Sequence, residues 1–223
     1  MNMSRTSLYE RFGKRLFDLV AASLASIVFL PLLLLVACAV RVMLGTPVIF
    51  RQRRLGQHKR DFVLFKFRTM TDGRDATGAE LSDRERLTPL GRLLRQWSLD
   101  ELPQLWNIVR GDMSFIGPRP MLLRYGPYFT EPEQKRFLVR PGITGLAQIN
   151  GRNHANWDQR FKDDVTYVER HSFALDLRIL IKTIRLVLAF SGVEVDPGSV
   201  MLDLDAERSK VASTGSHAKC SGQ

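Results

Sequence analysis

Between Leu19 and Val40 the chain reads LVAASLASIVFLPLLLLVACAV, 22 residues without a charge, bounded by Asp18 and Arg41. A straight helix of that length would extend about 33 Å, enough to cross a hydrocarbon core of roughly 30 Å. The run has no evident small-x-small cleavage site and carries a proline at position 31, so it reads as a retained membrane segment rather than a secretory signal. Pro31 removes one helix hydrogen bond and crowds the preceding turn, which predicts a kink near the middle. Arg5, Arg11, Lys14 and Arg15 precede the run, and Arg41, Arg51, Arg53 and Arg54 follow it. Positive charge on both flanks favours the cytoplasm for both ends. Two arrangements stay open on residue pattern alone. One is a kinked spanning helix; the other enters, turns at Pro31 and returns, with arms of about 18 and 15 Å.

Around this segment the chain is ordinary in composition. Of 223 residues, 44% are hydrophobic and 25% charged, which suits one folded domain and excludes general disorder, collagen and a multispanning protein. A mean hydropathy of −0.12 hides the apolar run. Lys and Arg number 33 against 23 Asp and Glu, a formal charge of +10. That surplus points to nucleic acid, an anionic membrane surface or a phosphorylated substrate. Cys38 and Cys220 lie in unlike surroundings and the four histidines are scattered, so neither a disulfide framework nor a zinc site is expected.

Downstream, Pro47 to Arg53 and Asp61 to Arg68 read as the strands of a small β-hairpin around Gly56-Gln57, and Thr71 to Arg86 as a loop. Helices are expected from Thr88-Pro89 through Trp97, after Pro103 to Gly111, over Glu131 to Val139, and after an Asn156 cap. In the last of these, Trp157, Phe161, Val165 and Val168 share a core-facing side. From Ala174 to Phe190, Arg178, Lys182 and Arg185 form one stripe on an otherwise apolar helix, the pattern of an interfacial amphipathic helix. The fold class is therefore α+β and mainly helical. It divides into an N-terminal membrane segment over 1–44, a body over 45–193 and a disordered tail over 194–223.

Candidate chemistry is concentrated between Leu99 and Gly151. Ser98 and Glu101 have capping-box spacing, but Pro103 would then sit where the helix ladder needs an N–H. A helix starting near Pro103 instead places Asp100 and Glu101 just before its positive end. Adjacent carboxylates there can bind a divalent cation, and an ionised Asp can attack phosphorus. Arginines held between rigid residues, at Gly117-Pro118-Arg119-Pro120 and Arg140-Pro141-Gly142, suit phosphate recognition by a pre-aimed guanidinium. Arg152 lies on another turn, and Arg95 precedes Asp100 on the helix leading into it. No P-loop or GxGxxG sequence occurs.

Six ordered motifs carry a resemblance. They are Lys14, Arg15 and Asp18 before the apolar run; Phe65 to Met70 (FKFRTM); Asp100 to Gln104 (DELPQ); Asn107 to Pro120; Arg140 to Gly145 (RPGITG); and Gly151 to Trp157. Over about residues 10 to 190 the chain resembles the bacterial sugar transferases. More narrowly, it is similar to the small monotopic phosphoglycosyl transferases that act on polyprenyl phosphate. The resemblance implies transfer of a sugar 1-phosphate from a UDP-sugar to polyprenyl (undecaprenyl) phosphate with release of UMP, as the first membrane step of glycan or glycoconjugate assembly. It implies a re-entrant membrane helix and a monotopic catalytic domain at the cytoplasmic face of the bacterial inner membrane, in contact with lipids. It assigns Asp100 as nucleophile with Mg²⁺ beside it, and Glu101 as a proton-handling or positioning partner. Arg95, Arg119 and Arg152 become phosphate or nucleotide ligands, with Lys66 and Arg140 as further substrate-binding candidates. At the break the family commonly has Ser-Pro where this chain has Leu30-Pro31, with Ser26 one turn earlier as the candidate hydroxyl. The lack of a large multispanning N-terminal part matches the small form. A membrane-tethered basic nucleic-acid-binding protein is the alternative from another class, without a helix-turn-helix, RRM or zinc signature; the resemblance predicts no nucleic acid. Sugar identity and oligomeric state stay open at this level.

Overall fold

The computed structural model describes residues 9–150, 156–189 and 203–209. After a π-helical turn at Tyr9–Gly13, the apolar run forms two helices, α1 (Lys14–Val28) and α2 (Leu30–Met43), bent by 62°. No single helix among the described residues is long and apolar enough to cross a membrane. The break falls at Phe29, two residues before the expected position, because Pro31 is accommodated in the first turn of α2, where a backbone N–H has no intrahelical partner. Ser26 does not serve the break: its hydroxyl donates to the Ala22 carbonyl at 2.7 Å, one turn back within α1.

The hairpin forms as expected from β1 (Ile49–Leu55) and β2 (Asp61–Phe67), antiparallel, with Phe50 opposite Lys66 and Arg54 opposite Phe62. A short α3 (Asp83–Arg86), capped by Ser82 and Glu85, interrupts the segment read as a loop. Then come α4 (Pro89–Gln96), α5 (Gln104–Arg110), β3 (Ser114–Ile116), β4 (Met121–Leu122), β5 (Gly142–Thr144), α6 (Leu146–Asn150), α7 (Trp157–Arg170) and α8 (Phe173–Leu188). Sheet order is β2-β1-β4, so the hairpin gains a third strand; β3 and β5 pair in parallel elsewhere. These short strands carry no alternation long enough to be read from sequence.

Successive side chains of β2 point to opposite faces. Leu64 packs with Ala22 of α1 and Leu105 and Ile108 of α5, whereas Phe67 packs with Val36 and Val40 of α2 and Leu94 of α4. The two arms of the bent pair thus rest on the two sides of one strand. Polar contacts fix α1 further. Asp18, fully buried, accepts from the Ser114 hydroxyl at 3.0 Å and the Phe115 N–H at 3.2 Å. Lys14 pairs with Asp176 of α8 at 2.7 Å, and Arg15 donates to the Ile108 and Val109 carbonyls at 2.6 and 2.8 Å.

Two expectations change. The helix placed over Glu131 to Val139 is a 3₁₀ segment, Pro132–Leu138, whose Glu133 carboxylate is shared between the Thr130 N–H and Arg208. Within the tail expected to be disordered, residues 204–209 are helical: Leu204 is fully buried beside Trp157 and Phe161, and Arg208 holds Glu133 at 2.6 Å. Trp157 and Phe161 are core residues as read, and Asn156 caps α7 by accepting from the Gln159 N–H. On α8, Phe173, Leu177, Ile181, Ile184 and Leu188 form an exposed apolar stripe, with Arg178, Lys182 and Arg185 also exposed.

Gly91 in α4 packs against the Thr69 backbone so closely that a Cβ would lie 1.9 Å from the Thr69 carbonyl oxygen. Helix propensity favours Ala over Gly by up to about 1 kcal/mol, but overpacking against backbone costs about 1–3 kcal/mol. Gly91→Ala is therefore expected to lower stability by about 1–2 kcal/mol. A thermal melt in lipid nanodiscs showing no loss would contradict this packing.

Candidate active site

The junction between α4 and α5 is a sharp turn set by two residues. Ser98 adopts the left-handed conformation (φ 56°, ψ 21°) and its side chain caps nothing, so the capping-box alternative is not adopted. Pro103 occupies the N-cap position of α5, which bars α4 from running on as one helix. Between them Leu99–Glu101 forms a 3₁₀ turn. Leu99 and Leu102 pack into the cluster around Val36, Phe67 and Leu94, leaving Asp100 and Glu101 to meet cations from β2 and from the Gly117-Pro118-Arg119-Pro120 loop.

The two carboxylates differ in their surroundings. Glu101 Oε1 accepts from Lys66 Nζ at 2.6 Å and from Arg119 Nη2 at 2.9 Å. Asp100, the more buried of the two, makes no side-chain hydrogen bond among the described residues; its nearest cation is Lys66 Nζ, 3.9 Å from Oδ2. Burial pushes the Asp100 carboxyl up to about 6, and the adjacent Glu101 charge adds to this against the pull of Lys66, Arg95 and Arg119. Burial alone would raise Glu101 as well, but Lys66 and Arg119 hold it well below the usual carboxylate range. Arg95 is oriented by its Nε–H bond to the Thr69 hydroxyl at 3.2 Å, and its charge reaches Asp100.

Of the residues expected at the site, Asp100, Glu101, Lys66, Arg95 and Arg119 come together. Arg140 does not join them. Its Nε donates to the Gly111 carbonyl at 2.9 Å, where it feels Arg15 and Asp18, so it secures the end of α5. Arg152 lies outside the described residues.

Among the described residues no group of three or more His, Cys, Asp or Glu forms a ready metal site. Mg²⁺ is commonly held by one or two carboxylates together with substrate phosphates. Asp100 suits that mode, because the neighbouring carboxylate is already engaged by two cations.

Three contributors were missed by reading the sequence. Thr69 orients Arg95. Arg136, buried among Phe129, Phe137 and Phe161 and paired with Asp164 at 2.8 Å, donates to the Arg119 carbonyl at 2.8 Å and so fixes the loop that carries Arg119. Arg54, counted only among the basic residues after the apolar run, lies on β1 with its Nη1 3.4 Å from the Pro120 carbonyl. A TM dipeptide after a strand was a visible signal for Thr69; nothing in local spacing marks Arg136 or Arg54.

An α+β body with an acidic pair ringed by cations suits an enzyme that handles phosphate groups. Residues 9–190 match the bacterial sugar transferase family, and the chain belongs to that family. It is 51% identical over 181 residues to the uncharacterized sugar transferase EpsL of Bacillus subtilis, covering 81% of this chain and 90% of that protein. It is 41% identical over 186 residues to the UDP-glucose:undecaprenyl-phosphate glucose-1-phosphate transferase of Caulobacter vibrioides, covering 78% and 69%. It is 38% identical over 197 residues to the exopolysaccharide production protein ExoY of Rhizobium meliloti, covering 81% and 87%.

The adjacent carboxylates should respond oppositely to neutralisation. The Asp100 carboxyl is harder to ionise in the folded protein than its ordinary value of 3.8, so its charge destabilises the fold above about 6 and not below about 3.8. Asp100→Asn is expected to raise stability at pH 7.5 by on the order of 2 kcal/mol, a gain that fades toward pH 4. Glu101 contributes stability above its ordinary 4.5, lost as pH falls through its depressed folded value. Glu101→Gln should therefore cost on the order of 2 kcal/mol at pH 7.5. Thermal melts of both variants across pH test the signs; shifts in the same direction would refute this division of charge.

Proposed function

We propose that the chain transfers a sugar 1-phosphate from a UDP-sugar to polyprenyl phosphate, releasing UMP, through a phosphosugar intermediate on Asp100. The observation that carries this is the unequal treatment of two adjacent carboxylates: the half-buried Glu101 is committed to Lys66 and Arg119, while the side chain of the buried Asp100 is left without a hydrogen bond among the described residues. The Caulobacter vibrioides relative, named a UDP-glucose:undecaprenyl-phosphate glucose-1-phosphate transferase, supports the substrate classes.

An Asp100 oxygen attacks the β-phosphorus of the UDP-sugar, forming a phosphorus–oxygen bond as the bond from that phosphorus to the bridging oxygen breaks and UMP departs. A phosphate oxygen of the lipid carrier then attacks the same phosphorus, freeing the Asp100 carboxylate and giving the polyprenyl-diphosphate-linked sugar. A carboxyl raised to about 6 is a stronger nucleophile than an ordinary aspartate and is still ionised at neutral pH. Lys66, Arg95 and Arg119 stabilise charge on the transferring group from positions fixed before substrate arrives. Mg²⁺, held by Asp100 with the substrate diphosphate, would supply charge neutralisation for the departing UMP. Glu101, with its low proton affinity, acts as the positioning anchor of Lys66 and Arg119 rather than as a base. That argues against a one-step transfer using Glu101 to remove a proton.

The membrane placement follows the same logic. A polyprenyl carrier stays in the bilayer, so the site must meet the membrane surface. The bent α1–α2 pair enters and leaves on the cytoplasmic side as a re-entrant segment, and α8 lies in the interface on its apolar stripe. On this reading the protein is monotopic on the bacterial inner membrane, at the start of glycan or glycoconjugate assembly. Two of the cations behind the surplus of +10 that admitted nucleic acid, Lys66 and Arg119, are directed at Glu101.

Incubation with a panel of UDP-sugars without lipid acceptor should release UMP with one of them and leave a phosphosugar on Asp100, detected by mass spectrometry and absent in Asp100→Asn. The rate of UMP release should climb as pH rises through about 6, as Asp100 ionises. An intact adduct on the Asn variant would sink the assignment of the nucleophile.

A further inference from the structure

Arg54 lies near the acidic pair but forms no ion pair among the described residues, although the Glu101 charge reaches it. It lies on β1, the central strand of its sheet. Its cross-strand partner is Phe62, and Phe50 stands opposite Lys66. Paired residues of an antiparallel ladder share a face, and so do residues two apart on one strand. Arg54 and Lys66 therefore project from the same side of the sheet. Lys66 meets Glu101, Glu101 meets Arg119, and Arg54 reaches the carbonyl of Pro120, the residue after Arg119. The row runs Lys66, Glu101, Arg119, Arg54.

Arg54 is poorly satisfied within that row. Its Nη2 donates to the Gln52 side chain at 2.5 Å, the Pro120 contact is long at 3.4 Å, and its buried Nε has no hydrogen-bond partner. None of the ion pairs among the described residues includes it, although Lys66 and Arg119 both have one. Burial and the adjacent Arg119 charge push its guanidinium down to about 10. Lys66, Arg95, Arg119 and Arg54 face Asp100 and Glu101, a formal surplus of two positive charges. A buried guanidinium beside a second one is costly without an anion, and a guanidinium fork matches phosphoryl oxygens.

We infer that Arg54 is a fourth cation of the substrate site and that, with Arg119, it holds a phosphoryl oxyanion of a reacting substrate. The inference rests on the phosphosugar-transfer reading above. The oxyanion has two sources, the diphosphate of the nucleotide-sugar and the phosphate of the lipid carrier, and kinetics separate them.

The full-length protein in lipid nanodiscs, with Arg54→Met, Arg54→Lys and, as control, Arg53→Met on the exposed neighbouring position, should be assayed for UMP release with and without polyprenyl phosphate. Loss of a charged, bidentate contact is expected to raise one KM by roughly 10- to 100-fold, with the lysine variant intermediate and the Arg53 control unchanged. A higher half-saturating UDP-sugar concentration for the single-turnover burst of UMP without acceptor, matched by a higher KM for UDP-sugar with acceptor, assigns the nucleotide diphosphate. A higher KM for polyprenyl phosphate alone assigns the lipid phosphate. Because the charge lacks a counterion, Arg54→Met should also keep or raise the melting temperature. A lower melting temperature with reduced kcat and both KM values unchanged would mean that Arg54 only props the Pro120 loop, and would overturn the inference. Should the methionine variant not fold, unchanged KM values in Arg54→Lys overturn it equally. UMP release by the wild-type protein stands apart from Arg54; its absence over the whole UDP-sugar panel would remove the underlying reading, and the inference with it.

Discussion

The guanidinium of Arg15 secures the C-terminus of α5 by donating to the carbonyls of Ile108 and Val109 in its last turn. Arg140 secures the next exposed carbonyl, at Gly111. One turn along α1, Asp18 answers a hydroxyl and an amide at the start of β3. These bonds join an apolar element to a polar body at a depth where any unmatched group would be expensive. Because α5 begins directly after the Leu99–Glu101 turn, fixing its far end fixes the turn as well. The position of the carboxylates relative to α1 is therefore set by four side chains of α1 and α8: Arg15, Asp18, Lys14 and Asp176.

In the reaction proposed above, the reactivity of the turn comes from dividing one cationic field unequally between two neighbours. Lys66 and Arg119 converge on a single oxygen of Glu101. That leaves Asp100 desolvated and beside a second negative charge, with cations close enough to keep it ionised at neutral pH but too far to occupy it. The buried Arg136–Asp164 pair enters the same scheme from behind. Its hydrogen bond to the Arg119 carbonyl holds the loop from which Arg119 reaches forward. A buried ion pair is a poor source of net stability, and here its geometric effect on a functional loop is the better account of its presence.

Much of this was legible in the residues because the responsible forces are local. The apolar run and its break, the hairpin, the caps at Thr88, Asn156 and Ser172, and the turn forced by Pro103 each depend on neighbours within a few positions. The pairing of Asp100 with Glu101 and the expectation of cations around them belong to the same class. The unread parts depend on partners far along the chain. β4 is two residues long and exists through β1; β3 exists through β5. Leu204 is buried through α7, and Arg208 is ordered through Glu133, so a polar composition around them misled. Arg140 has the same rigid Pro-Gly context as a phosphate ligand, yet its reach ends at a backbone carbonyl, a difference that local context does not encode.

The bend at Phe29 has a mechanical consequence. Its apex carries the exposed side chains of Ile27, Val28, Phe29 and Leu30. In the placement proposed above, that apex ends inside the bilayer, and its volume is added to one leaflet without an equal addition to the other. Such an insertion works against the lateral pressure of the acyl chains, which varies with headgroup size, unsaturation and curvature. The protein thereby becomes a wedge whose occupancy of the membrane depends on the packing stress of a single monolayer. Its distribution over a cell surface is then coupled to lipid composition through shape, independently of any headgroup it recognises.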